Sequence, residues 1–279
     1  IAATLAIITS LLWETILFFK EVPLFSFLFG TNWIPQNTAI DPAHSFGILP
    51  LLSGTFLIAI IACVVALIIA IPAAIYMAEY MPKNIKALVK PILEILSGIP
   101  TIVYGFFAAL VLGPSLVKLL SYFNISSSNE SAIVAGLVIG IMIVPFISSA
   151  TDDVISSIPK STRESGYALG SMSYEVVLKI LLPISMPGIL SSVLLAFSRA
   201  IGETMIVVMA SGLVANLTLN PFDSVTTITT QIVTIAQGDQ DFESVKTLSL
   251  FALGLTLFCI TLLLNLLSFW VIKHFQRKW

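Results

Sequence analysis

Charge is scarce in this chain. It has 13 Lys and Arg and 15 Asp and Glu, 10% of 279 residues, where an average soluble domain carries about 25%. Hydrophobic residues make up 57%. A soluble core of this length could not hide so much apolar surface under so little charge. This excludes an ordinary soluble enzyme and a disordered chain. The net charge of −2 leaves no basic excess to neutralise a phosphate backbone, so a nucleic-acid binder is excluded too.

Reactive side chains are equally few. The two cysteines, Cys63 and Cys259, both lie in apolar runs and make no disulfide framework. The two histidines, His44 and His274, are far apart and outside the apolar segments, so no metal site is expected. No H-E-x-x-H, no G-x-S-x-G and no pair of aspartates within one apolar span occurs, which argues against an intramembrane hydrolase. No G-x-x-x-x-G-K-[ST] occurs either, so the chain is not expected to bind or hydrolyse ATP. The start at Ile1 has no basic n-region and no A-x-A-like cleavage site, and reads as a trimmed start rather than a signal peptide.

What remains is apolar sequence in runs long enough to cross a bilayer, which takes about 20 residues of helix. Six runs qualify, at about 1–19, 47–77, 91–112, 131–150, 184–213 and 248–272. Barrel-like alternation is absent. The fold class is therefore an all-α polytopic membrane protein with six transmembrane helices, read as a single transmembrane domain over 1–279. Basic residues orient it. With the first helix starting inside, Lys83, Lys86, Lys90, Lys160, Arg163, Lys179, Lys273, Arg277 and Lys278 fall inside and Lys20, Lys118 and Lys246 outside, nine against three. Both termini are then cytoplasmic and the acidic stretch 214–247 is outside.

The polar connection 151–183 is the most informative stretch. Ser161 and Glu164 have the spacing of a capping box, preceded by Pro159. The pattern predicts a short helix to about Leu169, a break at Gly170, a second short helix after Ser173, and a stop at Pro183: a compact elbow.

In the fifth run, Arg199 follows Pro183 by sixteen residues, about 24 Å of helix. A mid-membrane Arg costs about 2.5–3.5 kcal/mol and needs a polar cavity or a partner. Glu203 is at i+4, on the same face of a continuous helix, in the less favourable order for an ion pair. A guanidinium fork in a dry cavity suits a tetrahedral oxyanion. Glu203 could orient that fork or accept from a protonated phosphate. An internal ion pair that only stabilises packing is the other reading. Glu94 lies just inside the third run, within reach of Ser97 or the elbow, and Gly98-Ile99-Pro100 predicts a kink there. Glu14 lies towards the outer end of the first helix, where it could reach water.

These segments resemble a known family. The elbow is similar to the coupling motif of ABC importer permeases: Glu-Ala-Ala, three residues, Gly, nine residues, then Ile-x-Leu-Pro. Here Glu164, Ser165 and Gly166 are followed by Gly170 and then by Ile180, Leu181, Leu182 and Pro183. Ser165 and Gly166 replace two alanines, and both are small enough to keep a close contact with a partner. Arg199-Ala200-Ile201-Gly202-Glu203-Thr204-Met205 resembles the hallmark of the PstC family of phosphate permeases. Gly47-Ile48-Leu49-Pro50, Ala78-Glu79-Tyr80, the stretch from Leu93 to Phe106, Pro221-Phe222-Asp223 and Phe251-Ala252-Leu253-Gly254-Leu255 agree with it.

The resemblance implies the type I ABC importer (MetI-like) permease fold with a cytoplasmic coupling-helix elbow, in a bacterial or archaeal cell (inner) membrane. It implies a transport subunit rather than an enzyme. The expected partners are a second, PstA-like permease, two PstB-like ATPase subunits and an extracytoplasmic PstS-like phosphate-binding protein, besides phosphate and membrane lipid. No cofactor is expected in this chain, since ATP and Mg would sit on the ATPase. It implies substrate binding by Arg199 and Glu203, and ATPase coupling by Glu164, Ser165, Gly166, Gly170, Ile180 and Pro183. Glu94, Gly98 and Pro100 are candidates for gating or a helix kink. Molybdate, sulfate or a phosphonate is the alternative substrate, and a non-transporting assembly factor or sensor is the alternative class.

Overall fold

Prolines and glycines decide where the long apolar runs become separate helices. The computed structural model describes residues 2–35, 45–238 and 244–276. In chain order the helices are α1 (Ala2–Glu21), α2 (Leu24–Phe29), α3 (Leu49–Ile75), α4 (Lys83–Ser97), α5 (Thr101–Phe107), α6 (Gly113–Ser121), α7 (Ala132–Ser156), α8 (Lys160–Ala168), α9 (Ser173–Val176), α10 (Leu182–Ile201), α11 (Met205–Ala210), α12 (Ile228–Ala236) and α13 (Val245–Gln276). Among the described residues the only bridges are the isolated pairs Trp33–Phe46 and Gly212–Val225, so the chain is all-α as expected.

Three π turns, Tyr76–Tyr80, Ala108–Leu112 and Val177–Leu181, extend α3, join α5 to α6 and join α9 to α10. Each ends two residues before a proline: Pro82, Pro114 and Pro183. Pro114 and Pro183 lie within the helix that continues, where a proline ring clashes with the carbonyl four residues back and offers no N–H; a widened turn relieves both problems, whereas at Pro82 the helix has already ended and Met81 is extended. Pro183 therefore does not stop the second elbow helix. Helix runs unbroken over Ser173–Ile201.

Among the described residues, five helices are long and apolar enough to cross a membrane: Leu49–Tyr80, Thr101–Ser121, Ala132–Ser156, Ser173–Ile201 and Val245–Val271. α1, at 20 residues, has the length of a sixth, about 30 Å. Expected boundaries move, most in the third and fifth spans. The third span is Thr101–Ser121 rather than 91–112, because Gly98–Pro100 ends one helix outright instead of kinking it, and α4 before the break is amphipathic. The fifth ends at Ile201 rather than 213, because Gly202–Thr204 leave the helix. His44, Asp239, Asp241, Glu243, Arg277 and Lys278 lie outside the described residues. Cys63 is buried and Cys259 exposed, both as free thiols.

The backbone forms two compact units. Unit 1 comprises Ile1–Ile61, Thr101–Ile139 and Ile201–Leu262. Its core is aromatic at one end, with Phe18, Phe27, Trp33 and Phe46 buried. Phe18 meets Phe27 and Phe46 edge-on at 5.6 and 5.5 Å, and Trp33 meets Phe46 at 5.5 Å, a geometry that aligns ring edge with ring face.

Unit 2 comprises Ala62–Pro100, Gly140–Ala200 and Leu263–Trp279. Ala62, Ala66, Ala70 and Ala74 repeat every fourth residue and are fully buried. Such a stripe of small residues lets membrane helices approach closely. Across the same unit, the buried hydroxyls of Ser191 and Ser268 meet at 2.5 Å. A second apolar cluster of Ile155, Ile158, Val176, Val177 and Leu181 lies under the elbow.

Candidate functional site

The elbow starts where α7 runs out. Residues 157–159 link it to α8, and Pro159 occupies the cap position, its fixed φ of −56° already suited to entering a helix. Ser161 is therefore inside the helix, and the expected Ser161–Glu164 box does not form. At the second elbow helix only the returning half of such a box is present: Met172 N–H donates to Glu175 Oε2 at 3.0 Å, and Lys179 donates to Glu175 Oε1 at 2.8 Å. Glu164 is exposed and engaged by no hydrogen bond or ion pair among the described residues.

α8 ends in a Schellman motif. Ser171 N–H donates to the Gly166 carbonyl at 3.2 Å and Gly170 N–H to that of Tyr167 at 2.9 Å. Gly170 has φ +81°, which a Cβ would oppose. Gly166 serves a different end. A Cβ there would meet Ile180 Cδ1 at 2.8 Å and Val176 Cγ2 at 3.0 Å. The small residue of the motif thus closes the two arms of the elbow on each other; the close contact is internal. This places Ile180 against Gly166, while Ser165 and Pro183 face outward.

The folded elbow presents apolar side chains to solvent. Leu169 is 88% exposed, Met172 64% and Tyr174 57%, with Tyr167 beside them. Tips like this are costly in water unless covered.

Arg163 anchors the elbow. Its Nε donates to Glu79 Oε1 at 2.8 Å, while its two terminal nitrogens donate to the carbonyls of Ile158 and Ile155, each at 2.8 Å. In the sequence Arg163, Lys86 and Lys90 figure only as positive-inside charges, yet Lys86 and Lys90 lie on one face of α4. Lys86 donates to Asp152 Oδ1 at 2.5 Å and to Ser156 at 3.1 Å. Lys90 pairs with Asp152 Oδ2 at 3.1 Å and with Asp153. Asp152 is fully buried. Hydrogen bonding to Asp153, then to Asp152, holds the Lys90 ammonium above its ordinary value despite partial burial.

Glu94 neither receives a side-chain bond from Ser97 nor reaches the elbow. Ser97 donates to its backbone carbonyl at 2.8 Å. Its side chain lines a cavity of about 240 Å³ with Ser97, Phe146, Ser149 and Asp153. Gly98 and Pro100 form the turn after α4, with Gly98 N–H bonded to the Ile95 carbonyl at 3.0 Å.

Arg199 is exposed near the end of α10, and no ion pair or hydrogen bond engages its guanidinium among the described residues. Glu203 follows the end of that helix, so the expected i, i+4 relation on one continuous helix is lost. The Glu203 backbone is held from elsewhere in unit 1: its carbonyl accepts the Thr229 hydroxyl at 2.9 Å. Thr229 belongs to a buried polar run that sequence reasoning missed. Thr227 caps α12, Ile228 N–H donates to Thr55 at 3.2 Å, and Gln231 accepts from Trp33 Nε1 at 3.1 Å. The run Thr-Thr-Ile-Thr-Thr-Gln at 226–231 could have signalled it, since buried polar groups must be paired. Interrupted helices at membrane depth are where transporters build polar sites. A second cavity of about 440 Å³ is lined by Ser126, Ser127, Ser128, Asn216, Asp223 and Ser224, with two apolar residues.

Comparison with known proteins supplies a family. The family described as "binding-protein-dependent transport system inner membrane component" matches residues 70–279. The chain is 35% identical over 241 residues to the probable ABC transporter permease protein YqgH of Bacillus subtilis, covering 86% of this chain and 75% of that one. It is 34% identical over 280 residues to the phosphate transport system permease protein PstC 1 of Mycobacterium tuberculosis (90% and 82%). It is 32% identical over 281 residues to PstC of Haemophilus influenzae (95% and 85%). Among solved structures, the MetNI methionine ABC transporter in inward-facing conformations matches with TM-score 0.60 at 15% identity, over 81% of this chain and 95% of that one.

Proposed function

Because the chain belongs to the family of binding-protein-dependent transport system inner membrane components, we propose that it is the permease subunit of an ATP-driven phosphate importer. With a second, PstA-like permease it encloses the path for inorganic phosphate. Two PstB-like ATPase subunits hold ATP and Mg, and an extracytoplasmic PstS-like binding protein delivers the anion to the outer loops. The chain is a transport component, not an enzyme.

The elbow carries this reading. Its motif spacing is that of an ATPase-docking segment, and its exposed tip of Leu169, Met172 and Tyr174 beside the free carboxylate of Glu164 is a surface that needs a partner. The elbow lies on the cytoplasmic side in the orientation set by nine basic residues against three, with both termini inside. ATP binding closes the ATPase dimer and displaces the elbows, and the spans turn from inward-facing to outward-facing. Hydrolysis resets them.

The substrate assignment draws on the PstC relatives and on the segment from Arg199 to Met205. Arg199 supplies a fixed positive charge with two parallel donors for a tetrahedral oxyanion. Glu203, unable to donate when ionised, accepts from a protonated phosphate and moderates affinity. Fully deprotonated sulfate has no proton to offer it. The test is uptake of labelled phosphate by vesicles holding the complete transporter and ATP. Uptake should require ATP and resist excess sulfate. Equal competition by sulfate, molybdate or a phosphonate would overturn the phosphate assignment.

A further inference from the structure

We propose that Glu79 and Arg163 form the link through which movement of the elbow reaches two membrane spans together. The inference rests on the reading of the elbow as the ATPase-docking segment. Covalently, α8 is joined to α7 only through residues 157–159, and its far end leads into the turn at Gly170. A displacement of α8 could be absorbed at either place. The Arg163 guanidinium removes that freedom.

Its planar fork makes three bonds at once, all at 2.8 Å: to the Glu79 carboxylate at the end of Leu49–Tyr80, to the Ile155 carbonyl within the last turn of Ala132–Ser156, and to the Ile158 carbonyl beyond it. The pair is largely buried, with side chains 17% and 10% exposed for Arg163 and Glu79. Separating such a pair strands a charge away from water, so the three helix ends move as one piece. Glu79 is presented from the π turn Tyr76–Tyr80, an irregularity that natural helices place at functional positions. Apolar packing supports the same joint: Ile155, Ile158, Val176, Val177 and Leu181 are buried beneath it, with Ile75 and Ala78 packed against them. Arg163 and Glu79 are thus positioning residues for transport. Neither needs to touch phosphate or ATP.

The experiment uses the reconstituted transporter carrying Glu79→Gln, Arg163→Lys or Arg163→Ala. It measures ATPase copurification, ATP hydrolysis and labelled phosphate taken up per ATP. Glu79→Gln keeps the shape and leaves both carbonyl bonds, so it guards against a simple folding failure. All three complexes should retain their ATPase and hydrolyse ATP. Phosphate per ATP should fall about 10-fold in Arg163→Ala, with smaller losses in Glu79→Gln and Arg163→Lys. A merely stabilising pair would lower the yield of complex and leave phosphate per ATP unchanged, and that result would overturn the proposal. Loss of the ATPase from the Glu79→Gln complex would overturn it too, by making the pair an assembly contact. If the unmodified chain copurifies no ATPase, the docking reading itself fails, and this is seen before any variant is made.

Discussion

The hydroxyl of Thr229 donates to the backbone carbonyl of Glu203 at 2.9 Å, two residues past the end of α10. That carbonyl has left the helix and would otherwise be an unpaired acceptor in a half-buried place. One hydroxyl from a distant helix start therefore helps hold the break next to the proposed anion site. Thr229→Val keeps the volume and removes the donor. It should cost about 1–3 kcal/mol, read as a lower midpoint of thermal unfolding in detergent, and phosphate uptake should fall in assembled complex. An unchanged midpoint would show that the carbonyl finds another donor.

Lys86 and Lys90 should act together on Asp152. The carboxylate is fully buried between them, so removing both ammonium groups leaves a buried charge alone. Lys86→Met with Lys90→Met should destabilise by about 3–5 kcal/mol. Adding Asp152→Leu should recover much of that loss, because no charge then remains to solvate. Chemical denaturation of the purified chain would measure both. Failure of the third substitution to recover stability would mean that the lysines act on Asp153 instead.

The same cluster sets a pH dependence. Lys90 is held above its ordinary value, chiefly by its hydrogen bond to Asp153. A raised folded-state value means that its contribution is complete below the unfolded lysine value, about 10.4, and is lost as pH rises through the folded one. The stability difference between the natural chain and Lys90→Met should therefore stay flat from about pH 6 to pH 9 and shrink only in stronger alkali. A difference that shrinks between those two pH values would contradict the assignment.

Two glycines of the elbow should fail in different ways. Gly170→Ala meets no neighbour but must hold φ near +81°, so it should cost about 1–2 kcal/mol locally. Gly166→Val drives side-chain atoms into Ile180 and Val176 and should open the elbow. Copurification of the ATPase should weaken for the first and be lost for the second. The reverse order would mean that the turn, not the closure of the two arms, forms the docking surface.

Arg199→Ala should lower phosphate uptake by about two orders of magnitude while the complex still assembles and hydrolyses ATP. Arg199→Lys should recover only part, since an ammonium cannot make two parallel bonds. Loss of assembly would instead favour a packing role for the residue.

The membrane class, most of the spans and the elbow are legible in the sequence because they depend on local quantities. Twenty apolar residues in a row have few other homes than a bilayer. The Glu164–Gly170–Pro183 spacing is a property of consecutive residues, as is the turn that Gly170 makes. Helix ends are not legible where one residue type has two local outcomes. Gly98-Ile99-Pro100 could kink a helix or end it, and here it ends α4. Pro183 could stop a helix, but a π turn just before it lets the helix continue.

Composition, orientation bias and motif spacing were fixed by the chain itself, since each is counted along it. Tertiary structure decided the pairings: Arg163 with Glu79 across 84 positions, Lys86 with Asp152 across 66, Thr229 with Glu203 across 26. In a chain with 10% charge, each buried charge must find a partner or destabilise the fold. Which partner it finds depends on which helix ends packing brings together. The scarcity was plain from the first residue count. The use of Arg163, Lys86 and Lys90 as structural ties, rather than only as markers of one side of the membrane, follows from burial, and burial exists only after folding.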